Sequence, residues 1–186
     1  MTTLAATPGQ TVGPFYGYAL PFEGGESLVD RSHPAAVRLY GRVFDGNGAP
    51  IPDALVEIWQ ADEQGRVPAA EGSLRRDGYT FTGFGRAAVD DNGMFSFTTV
   101  EPGSTREGAL PFFSVIVFAR GLPDRLYTRV YLPEAVDSIA DDAFLSSLGE
   151  RAATLIARRD ARGDLVFDIH MQGDDETVFL EHRQKD

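Results

Sequence analysis

Three histidines, His33, His170 and His182, are the only imidazoles in a chain of 186 residues that has no cysteine. A catalytic metal needs three or four ligands converging on one point. His170 stands two residues from Asp168 on an alternating segment that includes Val166, so both side chains reach one side of a strand. A metal reading pairs His170 with Asp168 or His182. No neighbouring residue completes the set, and an exposed strand histidine accounts for His170 much better. His33 precedes Pro34 and has no partner in sequence. The lack of cysteine excludes a disulfide framework, thiolate nucleophiles and sulfur-ligated metals, and it suits a reducing cytoplasm.

Other chemistries fail on spacing. No G-x-S-x-G turn presents a serine nucleophile, and no Gly-rich phosphate loop precedes a helix. The carboxylate pairs Asp62-Glu63, Asp90-Asp91 and Asp141-Asp142 are adjacent in turns or at a helix edge, where solvated turns explain them better than acid–base work. Two features remain. Gln10-Thr11-Val12-Gly13-Pro14-Phe15-Tyr16 sets aromatics beside a stiff Gly-Pro turn. Phe118-Ala119-Arg120-Gly121 ends an apolar run with a guanidinium, which is either a structural ion-pair member or a clamp for a carboxylate.

The elements that must hold these residues read as short strands. Val37–Val43 alternates into the turn Asp45-Gly46-Asn47-Gly48, and Ala54–Gln60 follows. Asp91-Asn92-Gly93 precedes Met94–Val100, with Phe95 and Phe97 on one face. Pro111–Arg120 is nearly all apolar and reads as a strand buried on both faces; Arg125–Leu132 alternates again. Thr154–Arg159, Leu165–Met171 and Thr177–Leu180 continue the pattern between turns. Glu134–Ala153 has helical spacing and predicts one or two short helices. The expected fold is all-β: an antiparallel β-sandwich, one domain over 1–186, with short helices between strands. Residues 1–36 form an extended leader, rich in Gly and Pro, that is expected to lie over another surface.

Composition bounds the partners. Net charge is −11, so a phosphate backbone is repelled and nucleic acid is excluded as a partner. No run approaches the roughly 20 apolar residues of a membrane span, and residues 1–10 lack the basic and apolar regions of a secretory signal. A cytoplasmic protein is the expectation.

Leu55-Val56-Glu57-Ile58-Trp59-Gln60-Ala61-Asp62 resembles a strand of the intradiol ring-cleavage dioxygenases. Gly41–Gly48 before it, Thr99-Val100-Glu101-Pro102-Gly103 after it, Arg125–Tyr131 and Phe167–Gly173 keep the family's order. In iron-bearing members of that family two tyrosines and two histidines hold a non-haem Fe(III). The resemblance maps those four positions onto Val67, which follows Gly65-Arg66, onto Thr105 after Pro102-Gly103, and onto Phe112 and Ser114. None offers the anionic oxygen or imidazole that Fe(III) prefers.

The likeness is therefore to an iron-free chain that pairs with an iron-bearing beta subunit of the same fold. The resemblance implies that the pair cleaves protocatechuate with O2 to 3-carboxy-cis,cis-muconate, with Fe(III) held by the beta subunit. It also implies that the leader packs on that subunit and that Thr11, Gly13, Pro14 and Arg120 form one wall of its substrate site. The family has tyrosine after Gly-Pro; here Phe15 precedes Tyr16, so either ring is a candidate for the wall. The alternative reading is a stand-alone ligand-binding sandwich without catalysis, and a single-chain enzyme built on His170 and Asp168 is a third.

Overall fold

The structure is a computed structural model that describes residues 15–69 and 74–181. Two sheets face each other across an apolar core. The first has the order β4 (Met94–Thr99), β1 (Val37–Phe44), β8 (Leu165–Val166), β7 (Arg158–Arg159), with β9 (Ile169–His170) also on β1. The second has the order β3 (Phe84–Ala88), β2 (Leu55–Trp59), β5 (Phe112–Phe118), β6 (Leu126–Tyr131). Pairing is antiparallel except where β8 and β9 lie parallel to β1.

Alternation fixes which side chains fill the core. Leu39 and Val43 of β1 and Phe95 and Phe97 of β4 point inward from one sheet; Val56, Ile58, Phe113, Val115 and Val117 meet them from the other. The reading of Pro111–Arg120 as buried on both faces is corrected here. Its inner residues are sealed, whereas Phe112, Ser114, Ile116 and Phe118 on the outer face are only half-buried. An apolar run cannot by itself separate a doubly covered strand from one whose second face is lightly covered.

Other boundaries also differ. β3 has no apolar alternation in sequence; its Gly85 lies under Leu28 and Phe97, so close that a Cβ there would come within 2.6 Å of Leu28 Cδ1. Leu165–Met171 splits into β8 and β9. Thr177–Leu180 makes only the isolated bridge from Leu180 to Tyr127, because Val178 N–H turns to Thr154 Oγ1. The helical stretch comprises the 3-10 turns Pro133–Ser138 and Gly149–Leu155 flanking α2 (Ala143–Ser147), whose N-terminus Asp142 caps by accepting from Phe144 and Leu145 N–H.

Residues 15–36 pack on the chain's own sandwich. α1 (Tyr16–Ala19) lays the Tyr16 ring 6.3 Å from the Phe118 ring, Ser27 bridges Thr98, and Leu28 enters the core. Arg86 fastens this segment by donating to Leu20 O (2.6 Å) while ion-paired to buried Glu57. Thr11, Gly13, Pro14 and His182 lie outside the described residues. No helix among the described residues is long and apolar enough to cross a membrane.

Candidate functional site

The outer face of β5 connects two places of interest. At its start, Phe112 and Ser114 open onto a cavity of about 190 Å³ that Val67 and Thr105 also line. All four positions that the family likeness pairs with iron ligands therefore meet around one space. Two loops make this possible. Gly103 N–H donates to Asp62 O at 2.8 Å, and Gly65 has φ +79° with Ser104 O where its Cβ would stand, so only glycine lets the loops touch. That contact brings the loops that carry Val67 and Thr105 to the same cavity. Trp59, paired with Ser114 in the β2–β5 register, also lines the cavity, its ring 4.4 Å from that of Phe84.

The lining does not fit Fe(III). Its walls are Trp59, Val67, Pro68, Leu110, Pro111 and Phe112, and its polar side chains are Gln60, Thr82, Thr105 and Ser114. None is an anionic oxygen or an imidazole. Two of the polar groups are already engaged. Gln60 donates to Val100 O and Ala61 O and accepts from Thr99, and Thr82 Oγ1 accepts from Arg76. Among the described residues no three His, Asp or Glu side chains gather as a metal site.

The far end of β5 holds the cationic candidate. Arg120 lies eight residues beyond Phe112, so in extended chain the two are separated by roughly 26 Å. Its Nε sits 2.9 Å from Asp53 Oδ2, and the arginine side chain remains 63% exposed. Tyr16 is buried beside this pair, 4% exposed, while Phe15 is 77% exposed. The structure thus brings Tyr16 and Arg120 together and turns Phe15 outward. Burial, reinforced by the Asp53 charge and partly offset by Arg120, pushes the Tyr16 phenol up to about 12. Tyr16 Oη and Asp53 Oδ1 are both buried with no hydrogen-bond partner among the described residues. Asp53 is the residue that sequence reasoning missed. It follows Pro52 in a turn and belongs to no motif; only the fold reveals its reach to Arg120.

His170 and Asp168 are engaged locally. His170 stacks on Phe44 at 5.1 Å, and Asp168 accepts from Arg42 N–H (3.0 Å) and faces Arg158 (3.3 Å). The adjacent carboxylates serve turns and caps, as Asp62 does for Gln64 and Arg66 and Asp90 for Asn92 and Met94.

Comparison with known proteins places this geometry in a family. A dioxygenase family profile matches residues 11–110. The chain is 39% identical to the protocatechuate 3,4-dioxygenase alpha chain of Burkholderia cepacia, covering 97% of this chain and 100% of that one. It is 34% identical to the protocatechuate 3,4-dioxygenase alpha chain of Pseudomonas putida, covering 96% and 97%. Among solved structures, the dioxygenase domain of a carbohydrate-binding fusion from Streptomyces sp. SirexAA-E superposes with a TM-score of 0.61 at 25% identity, covering 91% of this chain and 99% of that one.

Proposed function

Because this chain belongs to the intradiol dioxygenase family, we propose that it is the alpha subunit of a protocatechuate 3,4-dioxygenase, with the iron held by a companion beta subunit. The reaction of that pair inserts both atoms of O2 into protocatechuate between its hydroxylated carbons and gives 3-carboxy-cis,cis-muconate. One observation carries the reading: Val67, Thr105, Phe112 and Ser114 converge on a single cavity, yet bring no group that suits Fe(III). The four positions of an intradiol metal site meet in this chain, and their side chains do not suit iron.

The role left to this chain is to shape a site in its companion. The candidate wall comprises Thr11, Gly13 and Pro14 of the leader together with Phe15, Tyr16 and Arg120. An exposed guanidinium suits the carboxylate of protocatechuate, since planar paired donors match a carboxylate better than a point charge does. The 63% exposure of Arg120 and the packing of α1 against Phe118 support a presenting surface at this end of β5, away from the cavity. The companion chain, O2 and substrate enter through the likeness to alpha chains, which by name imply a partner.

Co-expression with an iron-bearing beta chain tests the reading. The two chains should co-purify and consume O2 with protocatechuate, whereas this chain alone should not. Ring cleavage by the isolated chain would refute it. A chain that elutes as a monomer beside the beta chain would instead favour a stand-alone ligand-binding sandwich.

A further inference from the structure

We propose that the cleft where β1 and β4 meet residues 26–37 and the β7–β8 turn binds a small aliphatic polycarboxylate, a molecule with two or three separated carboxylates. Three parts of the chain build it. Ser27 bridges Thr98 and Leu28 N–H donates to Thr98 O at 2.8 Å, which lays the segment before β1 along β4. Arg38 of β1 takes the outer face because Leu39 beside it enters the core. The turn after β7 is held by Asp160, whose Oδ1 accepts from the Arg162 and Asp164 N–H groups. The resulting cleft measures about 510 Å³, and Arg31, Arg38 and Arg162 line it together.

Charge sets the ligand's sign. Among the described residues none of these three arginines forms an ion pair, whereas Arg158 and Arg159 in the same sheet meet carboxylates at 3.3 Å and 2.6 Å. Two carboxylates share the lining. Asp164 Oδ1 accepts from the Arg38 backbone N–H at 3.0 Å, and the Glu26 charge also acts on Arg76, outside the cleft. Asp160 accepts from Tyr40 Oη at 3.0 Å. Three guanidiniums thus stand against two carboxylates in a chain of net charge −11, a local inversion that draws anions. Arg38 is also restrained in advance: its Nε donates to Ser96 Oγ at 2.7 Å and its Cζ lies 4.2 Å from the centre of the Tyr40 ring. Less side-chain freedom is then lost on binding. Spacing sets the class. The three cations stand on a loop, a strand and a turn, so separated carboxylates can each meet a planar guanidinium, which one compact charge cannot do. Ala36 and Val37 are the sole apolar side chains in the lining, too few to hold an aromatic ring. The ring-opened product named under the proposed function carries three carboxylates and falls in this class, although the class does not rest on that reading.

The test titrates the full chain with tricarballylate, followed by calorimetry and by amide NMR shifts. The expected result is saturable one-to-one binding that moves the Ser96, Thr98 and Arg162 amides and weakens as salt is raised. The trimethyl ester should not bind, and inorganic phosphate should bind more weakly. Arg31→Gln combined with Arg162→Gln, both on exposed side chains and so compatible with folding, should weaken binding by about tenfold. Arg38→Gln should weaken it by a similar factor, and Arg120→Ala, on the other sheet, should leave it unchanged. The proposal is overturned if tricarballylate shows no saturable binding below roughly 10 mM. It is equally overturned if phosphate binds as tightly, if the Arg31/Arg162 double variant binds normally, or if Arg120→Ala abolishes binding. Self-association of the chain that tricarballylate disperses would assign the cleft to carboxylates of a second copy and would also overturn it.

Discussion

Asp53 Oδ2 stands 2.9 Å from Arg120 Nε, an ion pair in which the arginine side chain stays 63% exposed. This contact restrains the guanidinium on the Asp53 side and leaves the rest of the side chain open. If Arg120 receives the substrate carboxylate, Arg120→Ala in the assembled enzyme should raise KM for protocatechuate while kcat changes less. One charge-assisted contact contributes on the order of 1.5–3 kcal/mol, which corresponds to roughly ten- to a hundredfold in KM. Steady-state kinetics of the complex measure it, and an unchanged KM leaves Arg120 a purely structural residue.

Asp53→Asn should have a smaller effect of the same kind. The ion pair is well exposed on the arginine side, so its loss is worth about 0.2–1 kcal/mol, up to fivefold in KM. Combined with Arg120→Ala it should add nothing, because Asp53 then has no guanidinium to hold. An additive double variant would contradict the positioning role.

Tyr16 sets a limit on stability at high pH. Its phenol is pushed up to about 12, above the ordinary value of 10.0, so the folded chain binds that proton more tightly than the unfolded chain. The contribution is complete below pH 10 and is lost as pH rises from 10 towards 12. Denaturation midpoints should therefore fall over that window in the wild type and fall less in Tyr16→Phe. Equal slopes for the two proteins would show that Tyr16 titrates as an ordinary phenol.

The leader depends on a buried ion pair. Glu57 is 7% exposed and pairs with Arg86 at 2.6 Å, and Arg86 in turn holds Leu20 O. Glu57→Ala leaves the guanidinium buried without its counter-ion and should cost about 3–5 kcal/mol of stability in chemical denaturation. Amide exchange should also quicken around α1, because the arginine that pins this segment has lost its orientation. A loss below 1 kcal/mol would mean that water reaches Arg86.

Most of the sandwich was legible because alternation and turn residues act locally. Val37–Val43, Ala54–Gln60 and Met94–Val100 carry their inward faces in plain view, and turn residues such as Asp45–Gly48 after the first and Asp91-Asn92-Gly93 before the third bound them. β3 was not legible, because its glycine and alanines form a strand only where Leu28 and Phe97 close over them. The half-covered outer face of β5 was hidden for the opposite reason: Phe112, Ile116 and Phe118 look like core residues, although they are only partly covered, Phe118 by Tyr16 and Phe112 by Tyr131 and Arg129. At the site, the four substituted ligand positions were readable from motifs, and the structure adds that they share one cavity. Asp53 and the inward turn of Tyr16 were not readable, since both depend on where a loop and a four-residue helix come to rest beside β5.

The central claim, that this chain completes a metal enzyme without holding the metal, is tested most directly by iron content. Elemental analysis should be made on the purified chain and on its complex with the beta subunit, each expressed with ample iron. The account predicts negligible iron in the chain alone and one iron per alpha–beta pair in the complex. Stoichiometric iron in the isolated chain would contradict it.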